Sequence, residues 1–148
     1  VGDRKYVKEG SEGSTLVPSL FSYGTSQSLA EKVQSICLAV SYSSEIKDRA
    51  YFERLIEKYP ELAVVQDKDR LDVIGAVGTG RIFTYGAVTL GREMGESMQI
   101  LDIKLFKSEE MMKTEPGRRL ARERTERLRL FRGWWEEEIK AGEVDVVG

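Results

Sequence analysis

Within the stretch GAVGTGRIFTYGAV, residues 75–88, four residues separate Gly75 from Gly80, the gap of the phosphate-cradling GxxxxGK[ST] loop. In that loop a lysine reaches the β- and γ-phosphates and a hydroxyl holds magnesium. Arg81 and Ile82 occupy those two places here. Arginine can imitate the charge, but isoleucine has no atom that can hold a metal, so the loop fails at its working parts. The dinucleotide fingerprint GxGxxG fails too, because Phe83 stands where its third glycine belongs. Nucleotide binding is set aside on these grounds.

The remaining chemistry is thin. The chain has no histidine and one cysteine, Cys37, which removes the usual catalytic triads, zinc sites and any internal disulfide. MQILD, ending at Asp102, has the form of a metal-holding strand, a short and common match. LFSYGT, residues 20–25, resembles the substrate loop of γ-glutamylcyclotransferase-like enzymes, but no acidic catalytic motif follows it, and a turn at Gly24 explains it. Abundant carboxylates read as solvated helix faces. The expectation is a protein that is not an enzyme and needs no metal or cofactor.

Composition sets the frame. With 148 residues the chain is long enough to bury a real core as one domain, and 41% hydrophobic with 32% charged residues is ordinary for a globular protein. A net charge of -2 argues against a protein defined by phosphate binding, and no nucleic-acid partner is expected. No apolar run approaches the roughly 20 residues that span a bilayer. Membrane association is therefore expected only through a segment absent from this chain.

The elements that must position any site follow from periodicity. Residues 1–14 are polar and rich in Gly and Ser, a flexible lead-in. Ser28 and Glu31 form a capping box before a helical face of Leu29, Val33, Ile36 and Val40. The run SSEIKDRAYFERLIEKYP, residues 43–60, reads as a second helix marked by Phe52, Leu55, Ile56 and Tyr59, with Pro60 as its stop. From Glu61 to Phe106 a three-strand meander and a helical reading count equally. The helical one places Phe83, Ala87, Leu90 and Met94 on one face, and Met98, Leu101, Leu105 and Met112 on another. IFTYGAVTL carries no charge, which suits a helix buried on every side.

Thr114 as N-cap and Pro116 in the first turn then open a long last helix. Leu120, Leu128, Phe131, Trp135 and Ile139 lie on one side of it and Arg118, Arg122, Arg129 and Arg132 on the other, with a kink expected at Gly133. The Trp134–Trp135 pair reads as core packing, with one ring open to an interface.

GAVGTGR, read as a helix entry, resembles the first homology motif of the Bcl-2 apoptosis-regulator family, whose core is approximately DGxxNWGR. Gly75, Gly80 and Arg81 match it, while Ile74, Gly78 and Thr79 replace its acidic residue, Asn and Trp. IFTYGAV resembles the buried central helix of that fold, and RGWWEEEI resembles the second homology motif. Upstream, Val33, Cys37 and Val40 hold apolar positions of the third motif, where Ser41 and Tyr42 replace the usual Gly–Asp. The order of these motifs covers about four-fifths of the chain and implies a divergent member, viral or invertebrate.

The resemblance implies an all-α fold over residues 15–143, followed by a short tail at 144–148. It would be a Bcl-2-like helical bundle with a buried central hydrophobic helix and a surface ligand groove. The implied function is regulation of apoptosis, on the pro-survival side, in the cytoplasm at the mitochondrial outer membrane. The implied partners are pro-apoptotic Bcl-2 family proteins, held through their amphipathic ligand helix, and a homodimer is left open. Arg81 would pair with the ligand's Asp and Gly80 would admit its backbone. Thr84, Tyr85, Val88, Val40, Phe52, Leu55, Tyr59, Leu71 and Ile74 would line the groove. The alternative is a helical assembly or scaffold subunit with no groove.

Overall fold

Helix formation is punctuated by short polar residues that cap and by glycines that turn. A computed structural model of the chain describes residues 16–103 and 107–144. The expected lead-in at 1–14, Leu105, the side chains of Leu101 and Asp102, and residues 145–148 lie outside what it describes. Among the described residues there is no strand, so the all-α reading holds and the meander does not.

The helices are α1 (Leu16–Ser22), α2 (Gln27–Leu38), α3 (Tyr42–Lys47), α4 (Arg49–Lys58), α5 (Glu61–Leu71), α6 (Gly75–Leu90), α7 (Met94–Ile103) and α8 (Glu115–Val144), with a 3₁₀ turn at Glu109–Met111. Among the described residues no single helix is long and apolar enough to cross a bilayer. Contacts divide the chain into two units, residues 1–66 and 67–148, each with its own core.

In the first unit the cap of α2 is Ser26, whose hydroxyl accepts from the Leu29 amide, rather than Ser28. The second expected helix is two: Asp48 ends α3 and its carboxylate accepts from the Tyr51 amide to start α4. A short acceptor at this position restarts the helix because it satisfies an orphan amide of the first turn. Pro60 follows the stop as expected: α4 ends at Lys58 with Tyr59 as its C-cap, and α5 begins at Glu61, directly after the proline. Ala39, Phe52 and Leu62 form the core, with Ile36, Leu55 and Ile56 packed on it. The buried Gln66 amide donates to the Ala39 carbonyl at 2.8 Å, closing the end of α2.

The second unit is built on α6 and α8. Ile74, Met98, Met112, Ala121 and Leu128 are buried together, backed by Leu71, Ile82, Phe83, Phe131 and Trp135. The side of α6 that turns inward carries Gly75, Gly78, Thr79 and Gly86. Small residues there allow close approach: a Cβ on Gly86 would lie under 3 Å from the Ser97 hydroxyl of α7. Gly75, at φ 76°, adopts a left-handed conformation natural only to glycine, and the Arg124 stem packs over it.

Two expectations are corrected in this unit. The central helix is not enclosed: Val77 is 70% and Val88 82% exposed, so α6 buries one face only. The uncharged run IFTYGAVTL turns Ile82, Phe83 and Gly86 inward and leaves Tyr85 and Val88 exposed. Gly133 does not break α8, which runs unbroken from Glu115 to Val144. Pairs from Arg129 to Glu126 and from Arg132 to Glu136 flank that glycine along the helix.

Candidate functional site

Two polar centres stand out in the second unit. The first fastens α5 to the start of α8. Asp67, 3% exposed, accepts from the Lys113 amide at 2.7 Å, the Thr114 amide at 2.8 Å and the Thr114 hydroxyl at 2.7 Å. Thr114 in turn accepts from the Gly117 amide at 3.1 Å, the N-cap that the sequence indicates. Arg70 donates to the Met111 carbonyl at 2.9 Å and Arg124 to the Leu71 carbonyl at 2.5 Å. Asp67 and Thr114 spend their side chains on holding the corner, which marks this centre as a structural fastening.

Arg81 sits beside the same corner. Its guanidinium reaches the Asp72 carboxylate at 3.3 Å and the Asp72 carbonyl at 3.3 Å, and Lys68 meets the other side of that acid at 2.8 Å. The Lys68 hydrogen bond, with Arg81 adding to it against some desolvation, holds the Asp72 carboxyl below its ordinary range. The acidic partner that Arg81 called for is thus in its own chain, nine residues earlier.

The second centre is a cavity of about 330 Å³ between α7 and α8, lined by Gly95, Met98 and Gln99 on one side and Arg132, Trp135, Glu136, Ile139 and Lys140 on the other. The α8 residues recur at three- and four-residue spacing and so share one face. Trp135 is held from behind: it stacks on Phe83 at 5.8 Å, and Phe131 meets Phe83 edge-on at 6.2 Å. Arg132 donates to the Glu136 carboxylate at 2.8 Å. Lys140 has no ion pair among the described residues. The site therefore joins a fixed aromatic surface, a thioether, an amide, a carboxylate and an open cation.

The residues expected to line a groove are distributed otherwise. Gly80, Arg81, Thr84, Tyr85 and Val88 do come together, on the exposed side of α6, where the Thr84 hydroxyl donates to the Gly80 carbonyl at 2.9 Å. Ile74, 1% exposed, and Leu71 belong to the core of their unit. Phe52 and Leu55 belong to the core of the first unit, where Val40 is half-buried. Tyr59 lies under the ammonium of Lys58 at 5.1 Å.

No family model matches the chain, and no curated protein sequence matches it either. Solved structures do. The crystal structure of Bacillus subtilis YpgQ is 30% identical, covering 93% of this chain and 69% of its own, with a TM-score of 0.71. The chain belongs to the YpgQ family. YpgQ in complex with ADP matches at 29% identity over 93% of this chain and 70% of that one, and the selenomethionine form at 30% and 71%, both with a TM-score of 0.71.

Membership in the YpgQ family overturns the apoptotic function, and with it the pro-apoptotic Bcl-2 partners and their ligand helix. The mitochondrial and viral associations drawn from the same resemblance lose their support. The motif matches that carried it, Gly75, Gly80 and Arg81, are met by a helix entry and an internal ion pair. One of the YpgQ structures is a complex with ADP, and the two motifs found wanting in this chain are loop signatures only. The seven charged, apolar and amide side chains around the α7–α8 cavity were not gathered by sequence reasoning. The spacing of Arg132, Trp135, Glu136, Ile139 and Lys140 was a signal that could have found five of the seven.

Proposed function

We propose that the chain is a nucleotide-binding helical protein, whose ligand is a nucleoside diphosphate or a close relative and whose seat is the α7–α8 cavity. The observation that carries this is the pairing of a braced indole with cationic side chains in one cavity, in a family with an ADP complex. A volume of about 330 Å³ is at the lower end of small-molecule sites. A nucleobase stacked on Trp135 gains about 1–3 kcal/mol. Lys140 offers a mobile point charge to a phosphate. The role is binding, with no bond formed or broken.

Isothermal titration of the chain with ADP tests the proposal. Binding is expected, and Lys140→Ala is expected to weaken it about tenfold, the scale of one hydrogen bond to a charged group. Lys140 is exposed and packs on no core, so its loss leaves the fold intact. Absence of binding heat at about 1 mM ADP, a concentration that would reveal even a weak site, would refute the proposal.

A further inference from the structure

We propose that the outward face of α8 is a self-association surface, on which a second copy of this chain lays its own α8 antiparallel, about a twofold axis level with Arg132. Leu120, Glu123, Arg127, Leu130, Trp134 and Glu137 recur at alternating three- and four-residue steps, the spacing of a two-helix seam. At about 100° per residue they share one side of the helix. Ala121, Thr125 and Leu128, each fully buried, lie on the opposite side and turn into their own unit. The seam is therefore left over once that unit has folded.

Exposure and pairing single out this face. Leu130 is 50% and Trp134 59% exposed, an apolar pair one turn apart facing solvent. Beside the seam, Arg118 is matched by Glu115, Arg122 by Glu109, Arg129 by Glu126 and Arg132 by Glu136. On the seam, Glu123, Arg127 and Glu137 are exposed and have no ion pair among the described residues.

The order of the seam residues identifies the occupant. In an antiparallel pair centred at Arg132, Leu130 of one copy meets the partner's Trp134, and Arg127 meets the partner's Glu137. The twofold axis makes each contact twice. A parallel pair would set Arg127 on Arg127 and Glu137 on Glu137, which like-charge repulsion opposes. A Cβ on Gly133, one residue from that centre, would meet nothing within 4 Å, so the backbone there is open to an approaching helix. A seam complementary to itself in reverse fits a second copy without any other protein.

The α7–α8 cavity takes Trp135, Ile139 and their neighbours from the other side of α8, so self-association stands or falls apart from ADP binding. Sedimentation equilibrium of the chain over a range of concentrations reads it, and a reversible dimer is expected. Trp134→Glu, at an exposed side chain, is expected to weaken the dimer at least about thirtyfold, the scale of losing a central tryptophan anchor, with helicity unchanged. Arg127→Glu sets two carboxylates together and is expected to weaken it at least about tenfold. Adding Glu137→Arg to that variant exchanges the two charges and is expected to restore the dimer to within about threefold of the parent. A monomer at every concentration overturns the proposal, as does a dimer that Trp134→Glu leaves intact. Failure of the double exchange to recover what Arg127→Glu loses overturns the antiparallel pairing.

Discussion

Replacing Asp67 with alanine removes the carboxylate that receives the Lys113 and Thr114 amides and the Thr114 hydroxyl, all at 2.7–2.8 Å. Hydrogen bonds to a charged acceptor contribute about 1.5–3 kcal/mol each, and partly buried amides left without one add a desolvation cost. The three share one side chain, so they do not sum, and the cost of burying the carboxylate offsets part of them. A net loss of about 3 kcal/mol for the unit of residues 67–148 is the working value. At roughly 2–4 °C per kcal/mol for a chain of this size, that is a fall in Tm of about 6–12 °C. Thermal melts followed by far-UV circular dichroism measure it. Hydrogen exchange adds the local readout, because the Lys113 and Thr114 amides should lose protection first. Asp67→Asn keeps the shape and one acceptor and should fall between the two. A loss below about 1 kcal/mol for Asp67→Ala, with both amides still protected, would refute the corner as a fastening.

Other positions give sharper contrasts. Gly78→Ala should destabilise by about 3 kcal/mol or more in chemical denaturation, since its Cβ would lie under 3 Å from the Val73 carbonyl, and backbone cannot move aside as a side chain can. Arg81→Ala should cost less than about 1 kcal/mol and leave ADP affinity unchanged, its side chain being 57% exposed beside an acid that keeps Lys68. The Asp72 carboxyl is held low by Lys68 and then Arg81, so its contribution is present above the ordinary aspartate value of about 3.9 and lost as pH falls through the depressed folded value. Urea melts below about pH 4 should therefore show a shallower acid slope for Asp72→Asn than for the parent chain.

Parts of both cores were legible because helical spacing is written directly into residue types, whereas over residues 61–106 strand and helix counted equally and spacing alone did not give the all-α class. Phe52, Leu55 and Ile56 fall on one face and are packed as expected, as are Leu128, Phe131 and Trp135. Thr114 as a cap was legible for the same local reason. The break at Asp48 was not, because a single capping acid inside an otherwise periodic run competes with continuation, and tertiary packing decides between them. The inward face of α6 was misread because glycine gives no hydropathy signal. Only the packed chain shows why these glycines must be small: Gly75 meets Arg124 of α8, Gly86 meets Ser97 of α7, and Gly78 meets the Val73 backbone in the turn before α6. Arg81 was read as a hook for a partner because Asp72 lies outside its helix, in the connection after α5, and only the bend between α5 and α6 brings them together. The cavity needed two helices at once: the α8 stripe was visible in spacing, but nothing in the sequence aligns Met98 and Gln99 with it.

The most direct test of the central claim is an indole NMR titration with ADP, which reads the two tryptophans separately. Trp135 lines the α7–α8 cavity, while the neighbouring Trp134 is outside its lining. The account predicts a saturable shift of the Trp135 indole signal with the Trp134 signal nearly still, and loss of that shift in proportion to weakened binding in Lys140→Ala. Saturable ADP binding that leaves the Trp135 signal unmoved, or no binding at all, would contradict it.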